Sequence, residues 1–387
     1  MTTQRPLPPS ASVVVVGGGV MGVSIAYHLA EAGVSNVVLL DKDSLGSGST
    51  CKAAGGVRAQ FSDPVNITLG ARSLETFANF PVLFDQEIDF HQVGYLFLLS
   101  TPAAVAAFEA NVALQNDLDV PTRMISVNEA KRMSPLICTD GLLAAAYSPI
   151  DGHCTPESVL LGYASAARRA GATLFPHCGV TGIDARDGRV HAVHTQRGTI
   201  RTDTVICAAG AWSAEIAAWA GVDLPVTPLR RQILITEPVP GLDPNTPFTI
   251  DFDTSYYFHR EGKGLLLGMS DPYETPGFKL GQSDDWLPRI GEAIQRRTPA
   301  LADTGIASGW AGLYEMTPDH NALIGRADDV EGFLYATGFS GHGFLMGPAV
   351  GEVMRDLYLR QTPFVDVSTL SVDRFATADR RPELNIV

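Results

Sequence analysis

Cysteine is scarce in this chain and arranged for neither of its structural uses. The five cysteines, Cys51, Cys138, Cys154, Cys178 and Cys207, are an odd number without a CxxC pair, which argues against a disulfide framework or a thiolate zinc site and fits a reducing compartment. Histidine supplies no metal spacing either: His191 and His194 fall in one strand-like stretch, where residues three apart point to opposite faces. No metal is expected. Positive charge is also short. With 28 Lys and Arg against 42 Asp and Glu, the formal net charge is −14, which argues against nucleic acid or an anionic membrane surface as partner. No run approaches the roughly 18 apolar residues of a membrane span. Residues 1–10 are polar and proline-rich, without the basic start and apolar core of a secretion signal, so the expected location is cytoplasmic. Internal repeats and low-complexity tracts are missing too.

What is present is glycine at particular positions. Residues 12–41 read SVVVVGGGVMGVSIAYHLAEAGVSNVVLLD. The apolar run 13–16 predicts a buried parallel strand that leads into Gly17, Gly19 and Gly22 at GxGxxG spacing. Gly17 permits the tight turn, Gly19 lets the main chain approach a pyrophosphate, and Gly22 lets the next helix pack close to the strand. That helix begins at Val20 and Met21 and runs to residue 32, with free N–H groups and the positive end of its dipole toward the phosphates. Gly33 ends it as an αL cap. A second strand over 37–40 then delivers Asp41, with Lys42 beside it, to where a carboxylate binds an adenosine ribose. Asp41 in place of a basic residue argues against a 2′-phosphate and leaves FAD or NAD.

Further along, 45–56 (LGSGSTCKAAGG) is too rich in glycine and small residues for an element interior. It is either a donor-rich loop that approaches a flat or anionic group or a plain surface loop. Arg58 follows it. Helical spacing is expected over 64–80, a strand over 88–100, helices over 103–118 and 155–170, strands over 173–175, 180–185 and 190–195, and a buried strand over 204–208 that opens onto Gly210 and Trp212. From about residue 226 strands and turns alternate, and 284–297 is helical. The last informative stretch is 310–351. A strand over 333–336 is followed by a second glycine-rich turn, 338–343, and a helix from Phe344. Its N-terminus can face a group that becomes negative during reaction. A reduced flavin needs such a dipole and a nicotinamide does not, so FAD is favoured.

At 387 residues the chain suggests two domains. The expected fold is α/β, with a Rossmann-like FAD-binding domain from 1–85, 150–222 and 310–387. Segments 86–149 and 223–309 form a second, α+β substrate domain on a mixed or antiparallel sheet.

The motif GGGVMG with Asp41, the loop GSGSTCKAAGGVR, the segment WAGLYEMTPDHNALIG and the turn GFSGHGFLMGPAVG together resemble the D-amino-acid-oxidase-like family of FAD enzymes. Within it, the branch of sarcosine oxidase and L-proline dehydrogenase β subunits is most similar. The resemblance implies that Ser49, Thr50, Gly55 and Gly56 line the flavin, Val180 the adenine, and Gly210 the middle of the cofactor. Gly341, His342, Gly343, Phe344 and Leu345 would cover the pyrimidine edge. Arg58 matches an arginine that grips the substrate carboxylate, a role suited to its fork. Tyr314, with Tyr256 or Tyr257, matches pocket tyrosines, although aromatic residues here can equally be core. Gly312 stands where covalent members carry a flavin-linked cysteine, which implies noncovalent FAD. Leu266 and Leu345 replace two lysines of monomeric sarcosine oxidase, the first of which promotes reaction with oxygen there.

The implied activity is oxidation of the C–N bond of a small secondary or N-methyl amino acid, or a related amine, with hydride passing to the flavin. Oxygen or a partner protein would take the electrons. A catalytic subunit of a heteromer, a homo-oligomer, a FAD-binding assembly factor without turnover, and an NAD-dependent dehydrogenase remain as alternatives.

Overall fold

The computed structural model describes residues 5–376 and 381–386; residues 1–4, 377–380 and 387, which the expected cofactor domain includes, lie outside the described residues. The valines of Val13–Val16 are all buried, as β-branched side chains on both faces of a strand must be when helices and sheets cover it on both sides. This strand is central in a six-stranded sheet ordered Leu323–Arg326, Phe333–Thr337, Val205–Cys207, Val13–Val16, Val37–Leu40 and Thr173–Phe175. All pairs are parallel except that of the edge strand Leu323–Arg326 with Phe333–Thr337. Val13, Val15, Val37 and Leu39 pack against the helices Val20–Glu31, Pro156–Arg169 and Gly343–Tyr358. Val14, Val16, Val38 and Leu40 face the three-stranded sheet Val180–Arg186, Arg189–Thr195 and Gly198–Arg201 and the helix Ser213–Ala218.

A second, eight-stranded sheet runs in the order Ile306–Met316, Thr227–Thr236, Gly264–Met269, Tyr256–Glu261, Phe248–Asp251, Tyr95–Leu99, Ala144–Ser148 and Arg123–Ile125. It is antiparallel apart from the pairing of Phe248–Asp251 with Tyr95–Leu99. Alternation divides its side chains. Leu96, Leu98, Leu234, Tyr256, Phe258, Leu265 and Leu267 pack on Trp286 and on Ile290 and Ala293 of the helix Leu287–Arg297 that follows it. Tyr95, Phe97, Ile233, Phe248, Ile250, Tyr257 and Leu266 occupy the other face. The architecture is the expected mixed α/β one.

Three expectations differ in detail. The strand expected over 88–100 is limited to Tyr95–Leu99, because Asp89 (φ 49°) and Gly94 (φ 82°) take left-handed conformations that a ladder cannot contain. The helix expected over 64–80 ends at Ala78, and Pro81 lies in the first turn of a separate helix, Phe80–Phe84. Ile306–Met316 pairs along its length with Thr227–Thr236, so residues 310–316, assigned with 310–387 to the cofactor domain, belong to the eight-stranded sheet. Among the described residues no helix is long and apolar enough to cross a membrane.

Candidate functional site

At the carboxyl ends of the parallel strands the two sheets enclose one elongated cavity of about 540 Å³, the place where an open α/β sheet holds a ligand. Its first end is made by the N-terminal glycines. Gly17 has φ +113°, and a Cβ on it would lie 2.2 Å from the Ala208 carbonyl oxygen. A Cβ on Gly22 would lie 1.8 Å from the Gly17 carbonyl oxygen, so Gly22 acts by letting the helix sit against the turn and does not itself line the cavity. Gly19, Val20 and Met21 do line it. Val20 N donates to Thr50 Oγ1 at 3.0 Å, which draws the loop 45–56 over the start of the helix. Asp41 Oδ2 accepts from Gly18 N at 2.6 Å and Oδ1 from Asp43 N at 2.7 Å. Burial raises its carboxyl pKa, against these N–H groups. Lys42 Nζ lies 3.6 Å from the centre of the Trp212 ring, and Val180 and Gly210 complete this end.

The loop 45–56 also lines the middle of the cavity, through Ser49, Thr50, Gly55 and Gly56, and Ser49 Oγ ties it to the Leu313 carbonyl at 2.7 Å. At Gly312 a Cβ would lie 2.7 Å from Lys52 Cβ; the side chain of Lys52 takes the room that any residue larger than glycine would need. Across from this wall Gly341, His342, Gly343, Phe344 and Leu345 line the cavity at the start of the helix Gly343–Tyr358. Two helix N-termini thus open on one space, one beside a glycine turn shaped for a pyrophosphate and one at the far end, where a ring that gains negative charge is favoured. These residues fit FAD. Glu315, which sequence reasoning did not single out, braces the second turn: its carboxylate accepts from Thr337 Oγ1 at 2.7 Å and Gly338 N at 3.0 Å.

Beyond the helix start lies the end that can take a substrate. Arg58, Tyr257, Tyr314 and His342 line it, and Tyr256 does not. Tyr256 lies on the opposite face of the sheet, with its hydroxyl 3.0 Å from Thr298 Oγ1. Pleating separates two consecutive tyrosines in this way. Arg58 is buried, and its guanidinium donates to the Gln60 carbonyl and, at 2.6 Å, to the Asn385 carbonyl. Both acceptors are neutral. Burial, and then the nearby Arg58 charge, lower the His342 pKa to about 3, so its imidazole is uncharged, and its Nε2 is buried without a partner. Burial raises the pKa of both Tyr257 and Tyr314, which remain phenols. Behind Arg58 the Asp151 carboxyl accepts from Ala59 N and Gln60 Nε2, each at 3.1 Å, and burial raises its pKa to about 7.

Several lining residues escaped the sequence reading. Arg231 and Phe248 were visible in principle, since each stands two positions from an apolar residue on the same strand face, Ile233 and Ile250. Ile386 had no such signal. It reaches the cavity because Glu383 anchors the segment 381–386 at residues 62–66, more than 300 positions away. Leu266 lines a separate cavity of about 450 Å³ on the other side of Ala53 and Ala54.

The human mitochondrial sarcosine dehydrogenase is 31% identical over 393 residues, covering 96% of this chain and 42% of that protein. The rat mitochondrial dimethylglycine dehydrogenase is 32% identical over 397 residues, with coverage of 96% and 46%. This chain therefore spans less than half the length of these relatives. Among solved structures, L-proline dehydrogenase from P. horikoshii is similar with a TM-score of 0.91 at 34% identity, covering 97% of this chain and 100% of that one. The family model described as FAD dependent oxidoreductase matches residues 12–357, and the chain belongs to that family.

Proposed function

We propose that this chain oxidises the C–N bond of a small secondary or N-methyl amino acid. The observation that carries the reading is Arg58: a buried guanidinium, bound by the neutral carbonyls of Gln60 and Asn385, at the end of the cavity where the flavin ring fits. A buried cation so placed favours an anionic ligand, and its fork suits a carboxylate. The relatives named above support the substrate class, since their names specify sarcosine, dimethylglycine and L-proline. FAD supplies the redox chemistry when bound, as acceptor of a hydride. The chain's own residues bind and orient. Arg58 holds the carboxylate, while the phenols of Tyr257 and Tyr314 wall the amine and reacting carbon. His342, uncharged, offers a polar edge without adding a second positive charge beside Arg58. Only the resemblance, and not the lining of this cavity, matches Leu266 to an oxygen-promoting lysine, and on that ground electrons are expected to pass to an acceptor other than oxygen.

The test is anaerobic titration of the yellow holoprotein with sarcosine, L-proline and a set of D- and L-amino acids. Bleaching by a secondary or N-methyl amino acid is expected, with slow recovery of colour in air. Arg58→Met should lower kcat/KM by about 30- to 5,000-fold, as truncating one partner of a buried charge pair does. No bleaching by any member, or an unchanged kcat/KM in Arg58→Met, would sink the reading.

A further inference from the structure

The cavity holds a second arginine for which the C–N oxidation of a simple amino acid gives no use. Arg230 and Arg231 are adjacent on the strand Thr227–Thr236, and pleating sends them to opposite faces. Arg230 is bound by Glu274 at 2.7 Å and by nothing in the cavity. Arg231 lines the cavity. Its Nη1 donates to the Arg230 carbonyl at 3.2 Å, and its Nε is buried without a partner. The guanidinium lies 5.3 Å from the centre of the Tyr314 ring. The nearest acidic groups that act on it are already held elsewhere: Glu274 by Arg230 and Lys279 at 2.7 Å each, Asp271 by Arg289 at 2.6 Å. Tyr314 feels both Arg231 and Arg58, whereas Tyr257 feels Arg231 and Tyr95 feels Arg58. The two guanidinium groups line the same cavity, and Tyr314 is within the influence of both.

A guanidinium that lines a ligand cavity with one N–H buried and unpaired, and whose nearby carboxylates are held by other cations, favours an anionic ligand. We propose that Arg231 is a second anion-binding residue of the substrate site, and that the preferred substrate is an amino acid bearing a second carboxylate. The inference rests on the C–N oxidation reading above and narrows its substrate class. Arg58 takes one carboxylate and Arg231 the other, so that the amine is held between them and beside the flavin.

Matched pairs test it on the holoenzyme: sarcosine against iminodiacetate, and N-methylalanine against N-methylglutamate. In at least one pair the dicarboxylate should exceed its partner in kcat/KM by about 10- to 100-fold, the worth of a charge-assisted contact. Arg231→Gln should erase that advantage while leaving the monocarboxylate within a few-fold, Arg231→Lys should restore part of it, and Arg230→Gln should leave it intact. An equal loss for both members of each pair, or no preference for a dicarboxylate in the native enzyme, overturns the proposal. If no probe reduces the flavin, the oxidation reading fails, and calorimetric Kd values for the same pairs decide the inference separately. A tighter dicarboxylate Kd that Arg231→Gln weakens upholds it; equal or absent binding overturns it.

Discussion

Replacing Glu383 isolates a part of the site that lies far from it in sequence. Its carboxylate is buried and meets donors only: Ser62 N at 2.9 Å, Ser62 Oγ at 2.7 Å, Asp63 N at 3.2 Å, Asn66 Nδ2 at 3.0 Å and Asn385 N at 2.9 Å. These bonds hold 381–386 in place, and the segment in turn offers the Asn385 carbonyl to Arg58 and Ile386 to the cavity wall. Glu383→Ala leaves those donors without an acceptor. A hydrogen bond to a charged group contributes about 1.5–3 kcal/mol, and such values do not add within one network. Because Leu384 is 61% exposed, the segment can lift and let water reach the donors, which caps the cost at about 3 kcal/mol. At 1.36 kcal/mol per decade that is an open population roughly 100-fold larger. Glu383→Gln should be nearly as damaging, since either amide orientation sets an NH₂ group against donors. Hydrogen exchange at the amides of Ser62, Asp63, Leu384 and Asn385 should accelerate in both variants, with a higher KM and a thermal midpoint close to the native one. Native exchange rates in Glu383→Ala, or a Gln variant indistinguishable from the native protein, would refute the reasoning.

Three further outcomes are expected. Gly22→Ala places a methyl group 1.8 Å from the Gly17 carbonyl oxygen, which no flexible side chain can relieve, so flavin absorbance per mole of purified protein should fall at least tenfold; full flavin content would contradict the packing account. Tyr256→Phe removes only the contact with Thr298 at 3.0 Å and should cost about 1 kcal/mol in urea unfolding with kcat/KM unchanged, whereas Tyr257→Phe should lower kcat/KM. A reversed pattern would exchange their roles. Asp151 has its folded pKa raised by burial from 3.8 to about 7, so between these values the folded state binds more protons than the unfolded one. Stability therefore falls as pH rises through that window and levels off above it. Asp151→Asn should flatten this slope in unfolding curves measured from pH 4 to 8, and an unaltered slope would show that another group carries it.

Much of the cofactor end was legible because its information is local. Strand, glycine turn, helix, second strand and acid follow within residues 12–41, and each step is a statement about backbone space or dipole direction that neighbours in sequence determine. The turn before the helix Gly343–Tyr358 is of the same kind. The substrate end was legible only by type. The run Tyr256-Tyr257 announces that one tyrosine faces each side of a strand, but which side meets the cavity depends on where the helix Leu287–Arg297 packs. Arg230 and Arg231 pose the same ambiguity, resolved by Glu274 on one face and the cavity on the other. Residues 310–316, expected in the cofactor domain, pair into the eight-stranded sheet for a related reason, since strand pairing across the chain is not written in the strand itself. By itself, then, the sequence determined a dinucleotide-binding α/β unit, the FAD class of cofactor and a candidate carboxylate arginine. Tertiary structure alone decided which side chains share the cavity and that 381–386 closes on Arg58, because these depend on contacts between segments up to 327 residues apart, whose meeting the packing of two sheets dictates.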